Sequence, residues 1–402
     1  MFFSSVPSIL ASIFGQRNEK EIRERGIHDP IRVAAVLLNS KGATWVKIFA
    51  SGGIFFKMNL PSLFSPCRKG RKRNMIRPDD LRLFSIIDSQ TAFRGDVVLI
   101  GFPFDEGCVR NGGRPGAALA PAAFRSFLKG MGTVVNPEFS TIAHDGTHHV
   151  GLKLPVVSDY GDIEGATLEG AHQQLEEVVL HVLRLGKIPF VVGGGNDQSA
   201  ANGRALLTFI AGTEERESTR ARTGFVDVGV VNIDAHLDVR PRIDGRVHSG
   251  TPFRELLEDE RLDPRRFVEF AAQGHCCAEA HAHFVRTRGG TIEWFSNISN
   301  DPVGHFRRVL KEVLKENVFV SFDIDSVQSA DCPGVSAPSS FGLRAFDAVQ
   351  ICYEAGLSPN VKVIDVSELN PAVEGYRSPR LAVLMFYYFL LGVARRIHAS
   401  KL

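Results

Sequence analysis

From Asp96 onward, short, largely apolar runs alternate with longer stretches in which apolar residues recur every third or fourth position. The run at 97–101 reads as a buried strand, and those at 155–159, 188–192, 228–233, 267–272, 318–322 and 361–366 read as further strands. The stretches at 117–128 and 168–185, the segment after Ser199, and the apolar closing segment 381–398 read as helices. Strands that alternate with helices need crossover connections, so the pattern predicts a mostly parallel sheet. A three-layer α/β/α fold with a central sheet of about eight strands follows. Residues 102–116 (FPFDEGCVRNGGRPG) and 193–199 (GGGNDQS) read as glycine-rich loops after strands. No internal repeat is evident.

Residues 1–74 differ from the rest. An apolar start is followed by a charged stretch and a basic cluster, CRKGRKR, at 67–73. The expected organisation is therefore an N-terminal extension, 1–74, either disordered or a targeting segment, and one domain, 75–402. Net charge is +2 in 402 residues, which points away from nucleic acid as a partner. No run reaches the roughly 18 apolar residues of a membrane span. The six cysteines lack zinc-finger pairing, so a reducing compartment, the cytoplasm, is the default. The extension leaves a mitochondrial or other organellar address open.

Chemistry concentrates where two apolar runs end. The stretch 229–238 reads GVVNIDAHLD, and Asp234, His236 and Asp238 occupy alternate positions. In an extended strand Asp234 and His236 share a face roughly 6.6 Å apart, and Asp238 would be roughly 13 Å from Asp234. For all three to serve one metal centre the chain must curl after Asp234, at a strand's carboxyl end. The stretch 318–325 (VFVSFDID) repeats the device with Asp323 and Asp325. Four converging carboxylates and an imidazole call for cations, and divalent manganese suits the set. The run GGGND lacks the Lys-Ser/Thr of a P-loop and the G-x-G-x-x-G spacing, which disfavours a kinase or dehydrogenase.

These pieces, with SELNP at 367–371, occur in the order found in the ureohydrolases, and residues 96–397 resemble that family of arginase, agmatinase and formimidoylglutamase. The loops GFPFDEGCVRNGGRPGA (101–117) and CPGVSAP (332–338) look most like the formimidoylglutamase branch. The resemblance implies a binuclear manganese site, two ions per chain. Asp234 and Asp323 would bridge the ions, His236 and Asp325 would complete one shell, and Asp238 would serve the other. The family has a sixth ligand, histidine, where this chain has Asn196. Three outcomes are open there: Asn196 ligates, water replaces it, or that ion is lost. A weaker second ion is expected.

Hydrolysis of a linear amidine would follow, by attack of a metal-bound hydroxide. Asp238 would orient the nucleophile and help protonate the leaving amine. Glu368 would hold the cationic nitrogen end. His248 falls in the proton-shuttle region.

Formiminoglutamate carries two carboxylates, and Arg110, Arg114, Arg240 and Arg242 lie in loops near the metal strands, so one or two of them are expected to hold the glutamate end. The expected reaction is N-formimino-L-glutamate to L-glutamate and formamide, the amidine step of histidine degradation. The alternatives are another ureohydrolase, such as guanidinobutyrase or agmatinase, or a catalytically silent binding protein. A homo-oligomer is compatible with the sequence. Cys108 and Cys332 fall in two loops that the resemblance sets at the cleft rim, which suggests a redox pair.

Overall fold

In the computed structural model, residues 34–40, 43–49, 55–59, 81–89, 93–142, 149–217, 224–314 and 316–399 are described. Two compact units appear, Met1–Met75 and Ile76–Leu402. The first contains a three-stranded antiparallel sheet of Ala34–Ser40, Ala43–Phe49 and Phe55–Asn59. The basic cluster at 67–73 and the apolar start of the chain lie outside the described residues.

The second unit is built on nine parallel strands. In chain order these are β1 (Ile87–Asp88), β2 (Val97–Phe102), β3 (Val157–Asp162), β4 (Ile188–Gly193), β5 (Gly229–Ile233), β6 (Phe267–Ala272), β7 (Thr291–Trp294), β8 (Val318–Asp323) and β9 (Val361–Ser367). Their order across the sheet is β7-β6-β5-β8-β9-β4-β2-β3-β1. The two strands missing from the sequence reading, β1 and β7, are the edges. One is two residues long and the other half-buried throughout, so neither carries a wholly apolar run.

Each sheet face is covered by helices. On one side lie α2 (Ala120–Leu128), α8 (Ala345–Leu357) and α9 (Arg377–Ala399), with Phe124, Phe190, Phe386 and Phe389 in the core. The other side carries α3 (Leu168–Arg184), α4 (Gln198–Glu217), α5 (Pro252–Leu257) and α6 (Glu279–Arg288), with Leu175, Val179, Leu206 and Phe253 buried. Between α6 and α8, α7 (Pro302–Arg308) packs Phe306 edge-on to Phe270. The loop after β2 is not wholly irregular, because Glu106–Arg110 forms a single-turn helix, α1.

Helix α9 is long and apolar enough to cross a membrane by length and composition. Its most apolar window is 67 % buried within the protein, which is the environment of a core helix. It crosses α8 closely because both helices are glycine at the contact: a Cβ on Gly356 would strike the Phe389 carbonyl, and one on Gly392 the Tyr353 carbonyl.

Candidate metal centre and active site

Four neighbouring strands, β5, β8, β9 and β4, release their chains at the same edge of the sheet. Carboxyl ends of parallel strands are where such sheets bind ligands. Strand β5 ends at Ile233, and the chain then bends instead of continuing extended. The bend is held by the Asp234 carboxylate, which accepts the His236 backbone N–H at 2.7 Å. By Asp238 the backbone has reached φ 40°, a left-handed conformation uncommon for a side-chain-bearing residue. That curl brings Asp238 back towards Asp234. On β8, Asp323 caps a short turn by accepting the Asp325 N–H at 2.9 Å. Asp323 and Asp325 thereby enter the same space.

Two ligand triads result. Asp234, His236 and Asp325 form one, and Asp234, Asp238 and Asp323 the other; within each, potential ligand atoms lie within 4.8 Å of one another. Asp234 belongs to both. His236 Nδ1 sits 3.2 Å from Asp234 and 3.3 Å from Asp325. The Asp325 Oδ1 atom is buried without a hydrogen-bond partner.

The electrostatics match this crowding. Burial and the neighbouring carboxylates push Asp238 and Asp323 well above the ordinary carboxylate range. Asp325 is also raised, first by burial, with His236 opposing. Despite burial, Asp234 is held low by His236 and by amide donors. His236 is strongly raised, chiefly by the Asp325 charge. Carboxylates packed this closely resist joint ionisation, and a pair of divalent cations relieves that cost. The donor set therefore fits two hard-to-borderline ions.

Asn196 lies on the loop after β4, fully buried against this cluster. Its amide nitrogen donates to Asp238 at 2.8 Å and approaches Asp234 at 3.5 Å. Its oxygen accepts hydroxyl protons from Ser199 at 2.9 Å and Ser367 at 3.0 Å. In this arrangement Asn196 turns its amide donors to the cluster, and two hydroxyls hold its oxygen. Asn196→His should place an imidazole nitrogen there and tighten manganese binding at the Asp238 side, about tenfold or more. A manganese titration matching that of the parent would exclude the position from the coordination sphere.

Glu368 follows β9 at φ 61° and accepts from Cys108 Sγ at 3.1 Å and the Asn196 N–H at 3.0 Å. Burial pushes its carboxyl up to about 7, against the pull of those two donors. With His236, Asp238, Asp323 and Asp325 it lines a cleft of about 240 Å³. Arg240, Asn111 and Ser249 form part of its rim.

The four loop arginines part company here. Arg240 lines the cleft and donates to Asn111 at 3.1 Å. Arg110 is bound by Glu169 at 2.6 Å, Glu106 at 2.8 Å and the Val247 carbonyl. Arg114 ties its loop to the Ser336 and Val335 carbonyls. Arg242 pairs with Glu255 at 2.9 Å. Carboxylates or carbonyls within reach have claimed these three, so they act in holding loops. His248 is likewise engaged: Gly250 donates to Nδ1 and the Pro241 carbonyl accepts from Nε2, both at 3.1 Å. It is buried, and both ring nitrogens meet backbone groups of its own loop.

Cys108 and Cys332 are separate free thiols, both buried. The surroundings of both favour the thiol over the thiolate. Burial first, then Glu368, raises Cys108 well above the usual thiol range, and burial pushes Cys332 up to about 12. Arg110, on the same single-turn helix as Cys108, is engaged by carboxylates. A bridge would require Cys108 to leave Glu368.

Two supporting groups carry no motif. Glu269 on β6 is buried and accepts from Asn232 at 2.9 Å, and that same amide also reaches Asp234 at 3.3 Å. A lone Glu inside the apolar run FVEFAA was its signal. His172 on α3 meets the buried Asp197 at 2.7 Å beneath the Asn196 loop. A histidine on the apolar face of a helix hints at such a pair, but its partner cannot be read from spacing.

A profile of the arginase family matches residues 95–392. The chain belongs to the arginase family. Among its relatives is the formimidoylglutamase of Ralstonia nicotianae (strain ATCC BAA-1114 / GMI1000), 30 % identical over 317 residues, 76 % of this chain and 88 % of the relative. The crystal structure of Trypanosoma cruzi formiminoglutamase with two Mn2+ is 49 % identical, with a TM-score of 0.71, covering 79 % of this chain and 100 % of that one. An asparagine-to-histidine variant of the same trypanosomal enzyme, also with two Mn2+, is 48 % identical, with a TM-score of 0.71 over 79 % and 99 % of the two chains. Arginase-family membership agrees with the parallel sheet and with the clustering of acids at its carboxyl edge.

Proposed function

We propose that this arginase-family chain is a manganese-dependent formimidoylglutamase, hydrolysing N-formimino-L-glutamate to L-glutamate and formamide. The observation that carries the reading is the pairing of two acid-rich triads on the cleft floor with the guanidinium of Arg240 at its rim. The named relatives, bacterial and trypanosomal, support the same substrate.

Asp234, His236, Asp238, Asp323 and Asp325 would hold the ions. When bound, such a pair supplies Lewis acidity and a water nucleophile near neutral pH. The remaining work belongs to the side chains. Glu368, on the cleft lining, would face the cationic amidine, whose charge favours its carboxylate form. Asp238, which accepts from the Asn196 amide, would hold a proton and pass it to the leaving amine. Arg240 has no ion pair among the described residues, so its fork is available to a substrate carboxylate. Asn111 and Ser249, themselves joined at 3.0 Å, add polar contacts at the rim.

The test is a manganese-activated panel of formiminoglutamate, arginine, agmatine and guanidinobutyrate. Formiminoglutamate should have the highest kcat/KM, and faster turnover of a cationic substrate would overturn the reading. Arg240→Ala should raise KM for formiminoglutamate about tenfold or more, the cost of a charged hydrogen bond. Agmatine, which lacks a carboxylate, should not suffer. An equal effect on both substrates would mean that Arg240 only shapes the loop.

A further inference from the structure

A second cavity, of about 360 Å³, lies where the strands of the sheet begin. Asp96, Ile188 and Val361, at or just before the amino ends of β2, β4 and β9, form part of its lining. The metal ligands gather at the carboxyl ends of the same sheet, and the two spaces share no residue.

Three cations border this second space: Lys187 in the turn between α3 and β4, Lys362 in β9, and Arg396 in the last turn of α9. All three are half-buried. Lys362 donates to the Pro359 carbonyl, and Arg396 to the Ser358 carbonyl. Neither contact neutralises charge, and none of the three cations forms an ion pair among the described residues. Burial, and then the Arg396 charge, lowers Lys362 below the usual lysine range, and burial lowers Arg396. Two acids stand nearby: Asp96 in the lining, and Glu316, which acts on Lys362 without pairing with it. Carbonyls just past the end of α8 favour a cation through the helix dipole. They leave unused most of the N–H groups that a guanidinium and two ammonium groups offer.

The cavity also has an apolar side, with Leu183 from α3, Phe209 from α4 and Val393 from α9. Cations drawn partly out of water beside such a surface are costly until an anion joins them. The volume falls within the roughly 300–1,000 Å³ of small-molecule pockets.

We propose that this cavity is a binding site for a small organic anion, a carboxylate or phosphate carried on an apolar body. Lys187, Lys362 and Arg396 would meet the head group, and Leu183, Phe209 and Val393 the body. The site is separate from the metal cleft and from the substrate held there.

The test is calorimetric titration of the manganese-loaded full chain with octanoate and octyl phosphate, beside octanol, acetate and inorganic phosphate. At least one octyl anion should saturate at about one per chain, roughly tenfold or more tighter than octanol or either bare anion. The tighter of the two octyl anions identifies the head group. Because Arg396 also anchors α9, the deciding variants are Lys187→Gln and Lys362→Gln. Each should weaken the binding about tenfold or more, the cost of a charged hydrogen bond. Both should keep the parental melting temperature and turnover, which establishes that they are folded. Arg240→Ala, altered at the metal cleft, should bind the octyl anion as the parent does. Four results would each refute the site: no saturable binding of either octyl anion, octanol binding as tightly as both, binding untouched by both lysine substitutions, or binding lost with Arg240.

Discussion

Asp234→Ala should remove bound divalent metal and hydrolysis together. Asp234 is the one side chain common to both ligand triads, so its loss strips a ligand from each. It is also completely buried and accepts the His236 N–H that turns the chain out of β5. Elemental analysis of the parent should give about two manganese per chain, in line with the two triads, and of the variant less than one. Turnover should fall roughly a thousandfold or more, because the electrostatic core of the site goes with the metal. Manganese should raise the melting temperature of the chelated parent, since a ligand that binds the native state stabilises it. The variant should show little such rise. Asp323→Ala, in one of the same triads, should behave alike. A variant that kept parental metal content and rate would refute the shared-ligand reading.

Glu368→Gln should lower kcat/KM for formiminoglutamate by about tenfold to a hundredfold while metal content stays unchanged. The substitution preserves shape and an oxygen acceptor for Cys108 and Asn196, but removes the negative charge facing the cleft. A lost charged hydrogen bond to an amidinium accounts for that range, about 1.5–3 kcal/mol. Metal content separates this role from a structural one. A fall in bound manganese would show that Glu368 acts through the Asn196 loop, and a parental rate with parental metal would remove it from substrate binding.

Much of this was legible along the chain, and the legible parts share a physical cause. The inner strands are buried on both faces, so they must be continuous apolar runs and stand out against their loops. Acids placed where such runs stop have no water to face and few partners, so Asp234, His236, Asp323 and Asp325 could be read as a set able to hold a cation, and the fold brings their ligand atoms together. Asp238 was readable only with the inference that the chain curls, and the φ of 40° shows how it does so. The edge strands β1 and β7 were lost because half-buried edges need no apolar run.

What folding alone decided is the partner of each charge. Arg110, Arg114, Arg240 and Arg242 are indistinguishable as loop arginines. Three are captured by Glu106, Glu169, Glu255 or backbone carbonyls, and Arg240 alone of the four reaches the cleft. The face that Asn196 turns to the acids was set by Ser199, in the first turn of α4, and Ser367, at the end of β9, which hold its oxygen. Glu269 and the His172–Asp197 pair likewise depend on groups brought together from distant parts of the chain. Hydrophobic periodicity is a local property and survives in one dimension. Hydrogen-bond and ion-pair assignments depend on distances of a few ångströms between segments far apart in the chain, and those distances exist only once the sheet has closed and set its four loops side by side.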